Sequence, residues 1–492
     1  MRKYLPTHPI LLFGLIPLLV IPLWMAAGTF KDWQYAFLPL SGWAWICFFL
    51  ATPDKNFPKR RQRLRKLLKD PCCWGALGFM GFLLLQYWNS NLIRVPDFET
   101  MGWTYTTPKY PRLPWSINQE DAAEMLRWFG PVFTVFLVIR HAGSTFANGS
   151  LTLWVTLSAF LNAILALVHE FRGWEMMFYD VRNTGRDTYG SFGYPNHAAT
   201  FFILMFAFAA GLFLRETLRE RSERKLWVKF VYGGSAILFF FAAQYSASRA
   251  GMLGVWIVLI LILLTLAVIG WPRMHPVHRL YGVFAVVGLV FFLVLGFQTF
   301  ATSTHLREFR QATLEVDANR EVTARFFQVQ SAWDMWKDHP FYGVGGWGYR
   351  YLVGFYLDES QWKFLGTGKA NVHNDFFQFL AEFGLVGMTL LALVFLPAAV
   401  RLLKSAFVPP EWDESLWGDP FRFSAAFGLL IMIAHSMIDL PFRSPAVFMH
   451  GAMMLAIASL PSPVTSVWPP KINWSDLTPG IRLNPIPKSV HQ

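Results

Sequence analysis

The sequence predicts an all-α polytopic membrane protein with about twelve transmembrane helices and a long loop before the tenth helix. Of its 492 residues, 54% are hydrophobic and only 15% are charged, whereas soluble proteins are about 25% charged. Apolar runs near the ~20 residues that cross a bilayer recur along the whole chain. They fall near 9–27, 33–51, 72–88, 127–145, 151–170, 196–214, 230–246, 251–271, 280–299, 374–400, 421–438 and 445–461.

The basic residues predict the orientation of these spans. They cluster in short segments at 52–71, 215–229 and 272–279, and loops of this kind stay on the cytoplasmic side. Both termini are then inside, and the longer loops lie outside, at 89–126, 171–195 and 300–373. The net charge of +12 is explained by these loops beside a lipid bilayer, and we expect no nucleic acid partner.

The spans and loops predict three regions. Residues 1–184 hold the N-terminal transmembrane helices, beginning with an apolar run to Ala27 that we interpret as an uncleaved first helix. Residues 185–461 form a second transmembrane domain that includes the loop 300–373. Residues 462–492 are rich in proline and are expected to be a cytoplasmic tail.

The sequence does not predict a metal or a disulfide. Three cysteines are present, Cys47, Cys72 and Cys73, and their spacing fits neither a disulfide framework nor a zinc site. His435 and Asp439 lie one helical turn apart, which suits a hydrogen-bonded pair or half of a metal site, but no third ligand has motif spacing. We therefore expect no metal and no cofactor.

The main candidate for chemistry is His373, in the stretch 371–375 where the tenth span begins. A histidine at the water boundary accepts a proton near neutral pH without extreme tuning. The alternative is structural: Asn374 or Asp375 caps the helix, and His373 only lines its mouth.

Two arginines are expected at the membrane surface. Arg325 borders a helical stripe of apolar residues typical of a helix lying along the membrane, or it snorkels as an anchor. The stripe comprises Val322, Phe326, Val329, Trp333 and Trp336. Arg249 interrupts an apolar stretch at the tip of a predicted hairpin, where an arginine is costly unless it meets an anion or carbonyl groups.

Two glycine-containing segments complete the candidate site. Residues 338–348 hold four glycines, including Gly345, which permit tight bends, although no phosphate-binding loop motif follows. Residues 190–197 open the sixth span, where Pro195 and Asn196 suit a helix start.

A base and two membrane-level arginines suit one kind of reaction. Arginine binds phosphate oxygens bidentately and stabilises a departing diphosphate without a metal, while the histidine removes a proton from an incoming hydroxyl. A nucleoside triphosphate is not expected on the outer face, so the remaining donor is a lipid-linked sugar.

Four ordered motifs then resemble the O-antigen ligase family. His373-Asn374 followed by Gly384 and Gly387 resembles its His-Asn…Gly-x-x-Gly pattern. Residues 193–197 are similar to its Gly-Asn-Pro-Asn-His stretch, with Tyr194 as a departure. Residues 248–251 resemble its Ser-Arg-Gly element, and 338–345 its Asp-His-Pro-x-x-Gly-x-Gly segment. The resemblance covers roughly residues 185–450.

The resemblance implies a metal-independent, inverting glycosyltransferase of the bacterial inner membrane with a periplasmic active site. The donor would be an undecaprenyl-diphosphate-linked glycan and the acceptor a sugar of lipid A-core or another glycan. His373 would be the catalytic base. Substrate binding would fall to the residues at the family's motif positions, which are Arg249, Arg325, Asn374, Asn196 and Gly345.

Other functions fit the same pattern. O-antigen or exopolysaccharide polymerases and protein O-oligosaccharyltransferases share much of it. A transporter of an anionic lipid or solute would use the two arginines without bond cleavage, but the chain shows no internal symmetry of the kind common in transporters. Glu382 and Arg422 are left without predicted partners.

Overall fold

The computed structural model describes residues 9–29, 31–53, 59–97, 102–143, 147–172, 176–177, 180–184, 188–218, 226–270, 317–364, 370–407 and 419–460. Within these ranges the chain is a helical bundle with two short antiparallel strand pairs. The helices are α1 (Pro9–Trp24), α2 (Lys31–Gln34), α3 (Phe37–Leu50), α4 (Arg60–Lys69), α5 (Pro71–Trp88), α6 (Gln119–Ala142), α7 (Thr152–Arg172), α8 (Pro195–Leu218), α9 (Leu226–Gln244), α10 (Arg249–Gly270), α11 (Asp317–Asp338), α12 (Tyr349–Leu352), α13 (Asp375–Phe407), α14 (Pro420–Ser436) and α15 (Pro445–Ser459). The strands are β1 (Arg94–Asp97), β2 (Gly102–Tyr105), β3 (Met176–Met177) and β4 (Asp180–Thr184).

The helices confirm a helical membrane protein. Among the described residues, 6 helices are long and apolar enough to cross a membrane, namely α6, α7, α8, α9, α10 and α13. The pair α4 and α5 passes the same test as one span bent by 73°, and α1, α14 and α15 are shorter apolar helices. The predicted span 280–299 lies outside the described residues, so the total of about twelve spans stays a prediction.

Two predicted spans differ in extent from the observed helices. The span predicted at 33–51 is divided into α2 and α3, and the span predicted at 127–145 begins earlier, at Gln119. Charged residues lower the hydropathy of the first part of α6, so the predicted span started later than the helix does. They are tolerated because Lys31 lies 3.4 Å from Asp121 and 3.0 Å from Glu124.

The bundle consists of two packed groups of helices. The first has α8 against α9, α10 and α14, with α7 on α9. The second contains α1, α3, α5, α6, α13 and α15, and contacts of α14 and α15 join the groups. Its centre is aromatic: the Phe79 ring lies 4.7 Å from Phe129 and 5.3 Å from Phe383. By contrast, Leu253 and Val268 of α10 are 66% and 74% exposed, as expected of a surface that faces lipid.

Helix α13 is broken at Gly384, where φ is +60°. The segment 340–345 pairs with the break. Leu385 and Val386 donate N–H bonds of 2.8 Å and 3.0 Å to the carbonyls of Pro340 and Phe341. The backbone N–H groups of Val344 and Gly345 donate to carbonyls that precede the break in α13. Because the loop satisfies the backbone groups that the break releases, the helix can bend inside a membrane protein.

The segment around α11 and α12 forms a small second core over the end of the bundle at which α8 and α13 begin, called the site end below. Ala332, Met335 and Tyr349 are fully buried there, and α11 packs on α13. The predicted apolar stripe of α11 is not its buried face, since Phe326 and Trp333 are 63% and 41% exposed. Its predicted position in the membrane interface therefore stays a prediction.

Candidate functional site

One turn organises the polar residues at the site end. This Asp439 turn, residues 437–440, connects α14 to the segment before α15. Arg325 donates a 2.8 Å hydrogen bond from Nη1 to the carbonyl of Ile438. Asn374 donates from Nδ2 to the carbonyl of Met437 at 2.7 Å. Residues far apart in sequence are therefore fixed on the same turn.

Asp439 is the centre of the turn. Its Oδ1 lies 3.5 Å from His373 Nδ1, and the Tyr194 hydroxyl donates to Oδ2 at 3.0 Å. Asn196 also donates to Oδ2 from its side-chain amide. Burial raises the pKa of Asp439, but the hydrogen bond and charge of His373, with smaller contributions from two other histidines, lower that pKa to about 2. Asp439 is therefore ionised at neutral pH.

His373 is placed between this carboxylate and open space. Its side chain is 34% exposed, and its backbone has φ of +50°, a conformation that costs energy for a non-glycine residue and recurs at functional sites. Nδ1 is buried 3.5 Å from Asp439 Oδ1 and has no hydrogen-bond partner within the described residues, which leaves Nε2 on the other edge of the ring for a substrate. A separation of 3.5 Å is long for a hydrogen bond, as catalytic pairs often are before substrate binds.

Asn374 is the helix cap that the structural alternative required. Its Oδ1 accepts from the backbone N–H of Phe377 at 3.1 Å, which satisfies one free donor at the start of α13. Capping by Asn374 fixes the backbone beside His373. Capping by Asn374 is therefore compatible with the position of His373 described above.

A cavity of about 360 Å³ opens beside His373. Besides the histidine, it is lined by charged and aromatic residues from five parts of the chain: Lys31, Glu124, Trp128, Tyr194, Trp347, Arg350 and Arg443. A cavity of this size and mixed lining suits a small polar ligand such as one or two sugar units.

Buried ion pairs support the cavity wall. Arg443 donates from Nη2 to Glu382 Oε2 at 3.0 Å, and Gln378 donates to the other oxygen of that carboxylate at 2.9 Å. Asp375 accepts the backbone N–H of Phe442 at 2.8 Å. Glu382, which had no predicted partner, thus ties α13 to the segment before α15. Arg422 caps the end of α15 by donating to the carbonyl of Leu460 at 2.6 Å.

Of the six predicted site residues, only His373 lines the cavity. Arg325, Asn374 and Asn196 bind the Asp439 turn, whereas Arg249 and Gly345 lie outside the cavity. Arg249 is the first residue of α10 and is exposed. Gly251, two residues later, packs against Ala199 of α8, which places Arg249 at the site end. Gly345 has φ of +81° and would collide with Ser116 if it carried a side chain. It packs the loop against the bundle, and its role in substrate binding stays a prediction.

The histidine and cysteine residues considered above as possible metal ligands are buried in the structure. His435 Nδ1 shares a hydrogen bond of 2.7 Å with the Thr200 hydroxyl rather than with Asp439. Cys47, Cys72 and Cys73 are buried free thiols. Across the residues that the structure describes, no group of three or more His, Cys, Asp or Glu side chains is arranged to hold a metal ion.

Sequence reasoning missed Asp439 as the partner of His373, and missed Arg350 and Arg443. The helical spacing of His435 and Asp439 suggested the wrong pair, because the helix ends at Ser436, before Asp439. Arg443 lies between two apolar runs, and a charge in such a place is a signal for function. Arg350 gave no such signal.

The bundle and this site define a multi-pass membrane protein with a histidine–aspartate pair beside a cationic cavity at one end. Residues 234–392, about a third of the chain, match the family model described as O-antigen ligase. This region of the chain is therefore similar to the O-antigen ligase family. No curated protein matches the chain. The matched range includes Arg249, Arg325 and His373, whereas Asn196 and Asp439 lie outside it.

Proposed function

We propose that the protein is an inverting, metal-independent glycosyltransferase that moves a glycan from undecaprenyl diphosphate to an acceptor hydroxyl at the periplasmic face of the bacterial inner membrane. The acceptor that the family resemblance favours is a sugar of lipid A-core. The observation that carries the proposal is the pair of His373 and Asp439, 3.5 Å apart at the edge of the cavity.

His373 acts as the base in this mechanism. The acceptor oxygen attacks the anomeric carbon while His373 Nε2 takes the hydroxyl proton, and the bond from that carbon to the diphosphate breaks. One displacement at one carbon inverts its configuration. Asp439 holds the imidazole by its Nδ1 edge and stabilises the imidazolium that forms, as carboxylates do in histidine-based sites.

The arginines act on the leaving group. Arg325 is held on the Asp439 turn by Ile438, so its guanidinium lies near the histidine pair. Arg249 begins α10 at the same end of the bundle. A guanidinium stays charged and matches phosphate oxygens, and charge placed where negative charge develops lowers the barrier.

The direct test is release of undecaprenyl diphosphate by purified protein given a labelled lipid-linked glycan and lipid A-core. We expect His373→Ala to abolish release and transfer. His169→Ala is the matched control, because His169 is a buried histidine of α7 that does not line the cavity. Normal transfer by His373→Ala would refute the mechanism. A ligase moves one finished chain, whereas a ladder of products would indicate a polymerase.

A further inference from the structure

Two arginines lie against one indole ring in the cavity wall. The guanidinium carbon of Arg350 is 3.2 Å from the ring centre of Trp347, and that of Arg443 is 4.0 Å from it. The two cations therefore lie within about 7 Å of each other. Each gains from contact with the ring face, but like charges so close destabilise one another.

Of the two cations, Arg443 forms ion pairs with the carboxylates of Glu382 and Asp375, whereas Arg350 forms none within the described residues. Arg443 is paired with Glu382 at 3.0 Å. Arg350 donates a 3.4 Å bond to the amide oxygen of Asn371, and no acidic side chain of the described residues forms an ion pair with it. Burial and the charge of Arg443 lower the pKa of Arg350 to about 10, which leaves the group charged at neutral pH.

The wall also carries donors without acceptors. Within the described part of the chain, no hydrogen-bond partner is found for Arg350 Nε, Arg443 Nη1, Trp347 Nε1 or Trp128 Nε1. Trp347, Arg443 and Trp128 are only 3%, 4% and 5% exposed. Buried polar groups are normally paired, and leaving a buried donor without a partner destabilises the structure. All four groups are donors, so one acceptor-rich ligand would satisfy several of them.

We infer that Arg350, Arg443, Trp347 and Trp128 form a subsite for an oxyanion, carboxylate or phosphate, carried by a sugar in the cavity. The inference deepens the proposed function, because it assigns an acidic or phosphorylated sugar to the glycan whose hydroxyl lies beside His373. A carboxylate or phosphate offers several acceptor oxygens to a fork of N–H donors, and the indole face gives the sugar ring an apolar surface.

The test is binding of three probes with the same ring, namely glucuronate, glucose 6-phosphate and glucose, to the full-length protein in nanodiscs by saturation-transfer NMR. At fixed ionic strength we expect at least one anion to bind about tenfold more tightly than glucose, a gap typical of one charged contact. Preference for glucuronate indicates an acidic sugar, and preference for glucose 6-phosphate a phosphorylated one.

Variants test whether a preference for the anionic probes depends on Arg350. Arg350→Gln should abolish it, Arg350→Lys should retain part of it through charge, and Arg401→Gln, at an exposed position of α13, should leave it intact. Equal binding of all three probes, or an unchanged preference in Arg350→Gln, would overturn the inference. His373→Ala separates the two proposals, because it should keep the anion preference while losing transfer. If the wild-type protein transfers glycan but shows no preference for the anionic probes, the subsite inference is wrong while the proposed function stands.

Discussion

His373 and Asp439 are 66 positions apart in the sequence, yet Nδ1 of the histidine lies 3.5 Å from Oδ1 of the aspartate. Two other side chains, Tyr194 and Asn196, hold the same carboxylate from the start of α8. The aspartate therefore has a fixed orientation beside the imidazole, as the proposed mechanism requires.

Asp439→Asn should lower the rate of glycan transfer by about 10²–10⁴-fold, the usual contribution of an oriented acid–base group. An amide keeps the shape of the side chain but does not stabilise an imidazolium. The measurement is initial rate of undecaprenyl diphosphate release. Asp334→Asn is the control, since Asp334 pairs with Lys337 on the surface of α11. A rate within twofold of wild type would exclude this role for Asp439.

Asp439 should also contribute to stability above about pH 4. Its pKa in the folded protein is about 2, below the ~3.9 of an unfolded chain, so its stabilisation is present above pH 4 and is lost as the pH falls toward 2. The shift corresponds to about 2 kcal/mol. We expect Asp439→Asn to melt at lower temperature than wild type at pH 6, with the gap narrowing between pH 4 and pH 2. A gap independent of pH would contradict this linkage.

Arg443→Met should lower the free energy of unfolding by about 3–5 kcal/mol, because it leaves Glu382 buried without its cation. The side chain of Glu382 is 0% exposed, so water cannot replace the arginine. The double variant Arg443→Met, Glu382→Gln should regain part of the loss, since Glu382 then carries no charge, although the contact of Arg443 with Asp375 at 3.6 Å is still missing. Melting in detergent by scanning fluorimetry checks both, and equal melting of the single and double variants would argue against a buried ion pair.

Gly384→Ala should destabilise the break in α13. The position has φ of +60°, and a side chain there would press on the backbone of Phe341 and Gly343, so the loop 340–345 would be displaced. We expect a cost on the order of 1–3 kcal/mol and a loss of transfer activity. Gly81→Ala in α5, where an added methyl meets nothing within 4 Å, is the control, and it should be neutral or slightly stabilising. Similar melting of the two variants would show that the break is not constrained by the loop.

Patterns within single segments predicted most of the described helices and where some of them start. The apolar runs predicted most of the described helices within a few residues, because lipid solvation acts on each segment by itself. Asn374, as a cap, and Pro195, as a first helical residue, identified helix starts, because both signals are local. The position of His373 at the start of α13 followed from the same local signals.

The sequence by itself determined the membrane class, the positions of most helices, and the histidine and arginine candidates, since these depend on the composition and order of neighbouring residues. Only the tertiary structure decided that Asp439 lies beside His373, that Glu382 pairs with Arg443, and that Arg350 and Arg443 both lie against Trp347. Those pairings depend on how α13 breaks and on where the connection between α14 and α15 crosses it. Such contacts join residues distant in the chain, and no periodicity or composition within one segment specifies them.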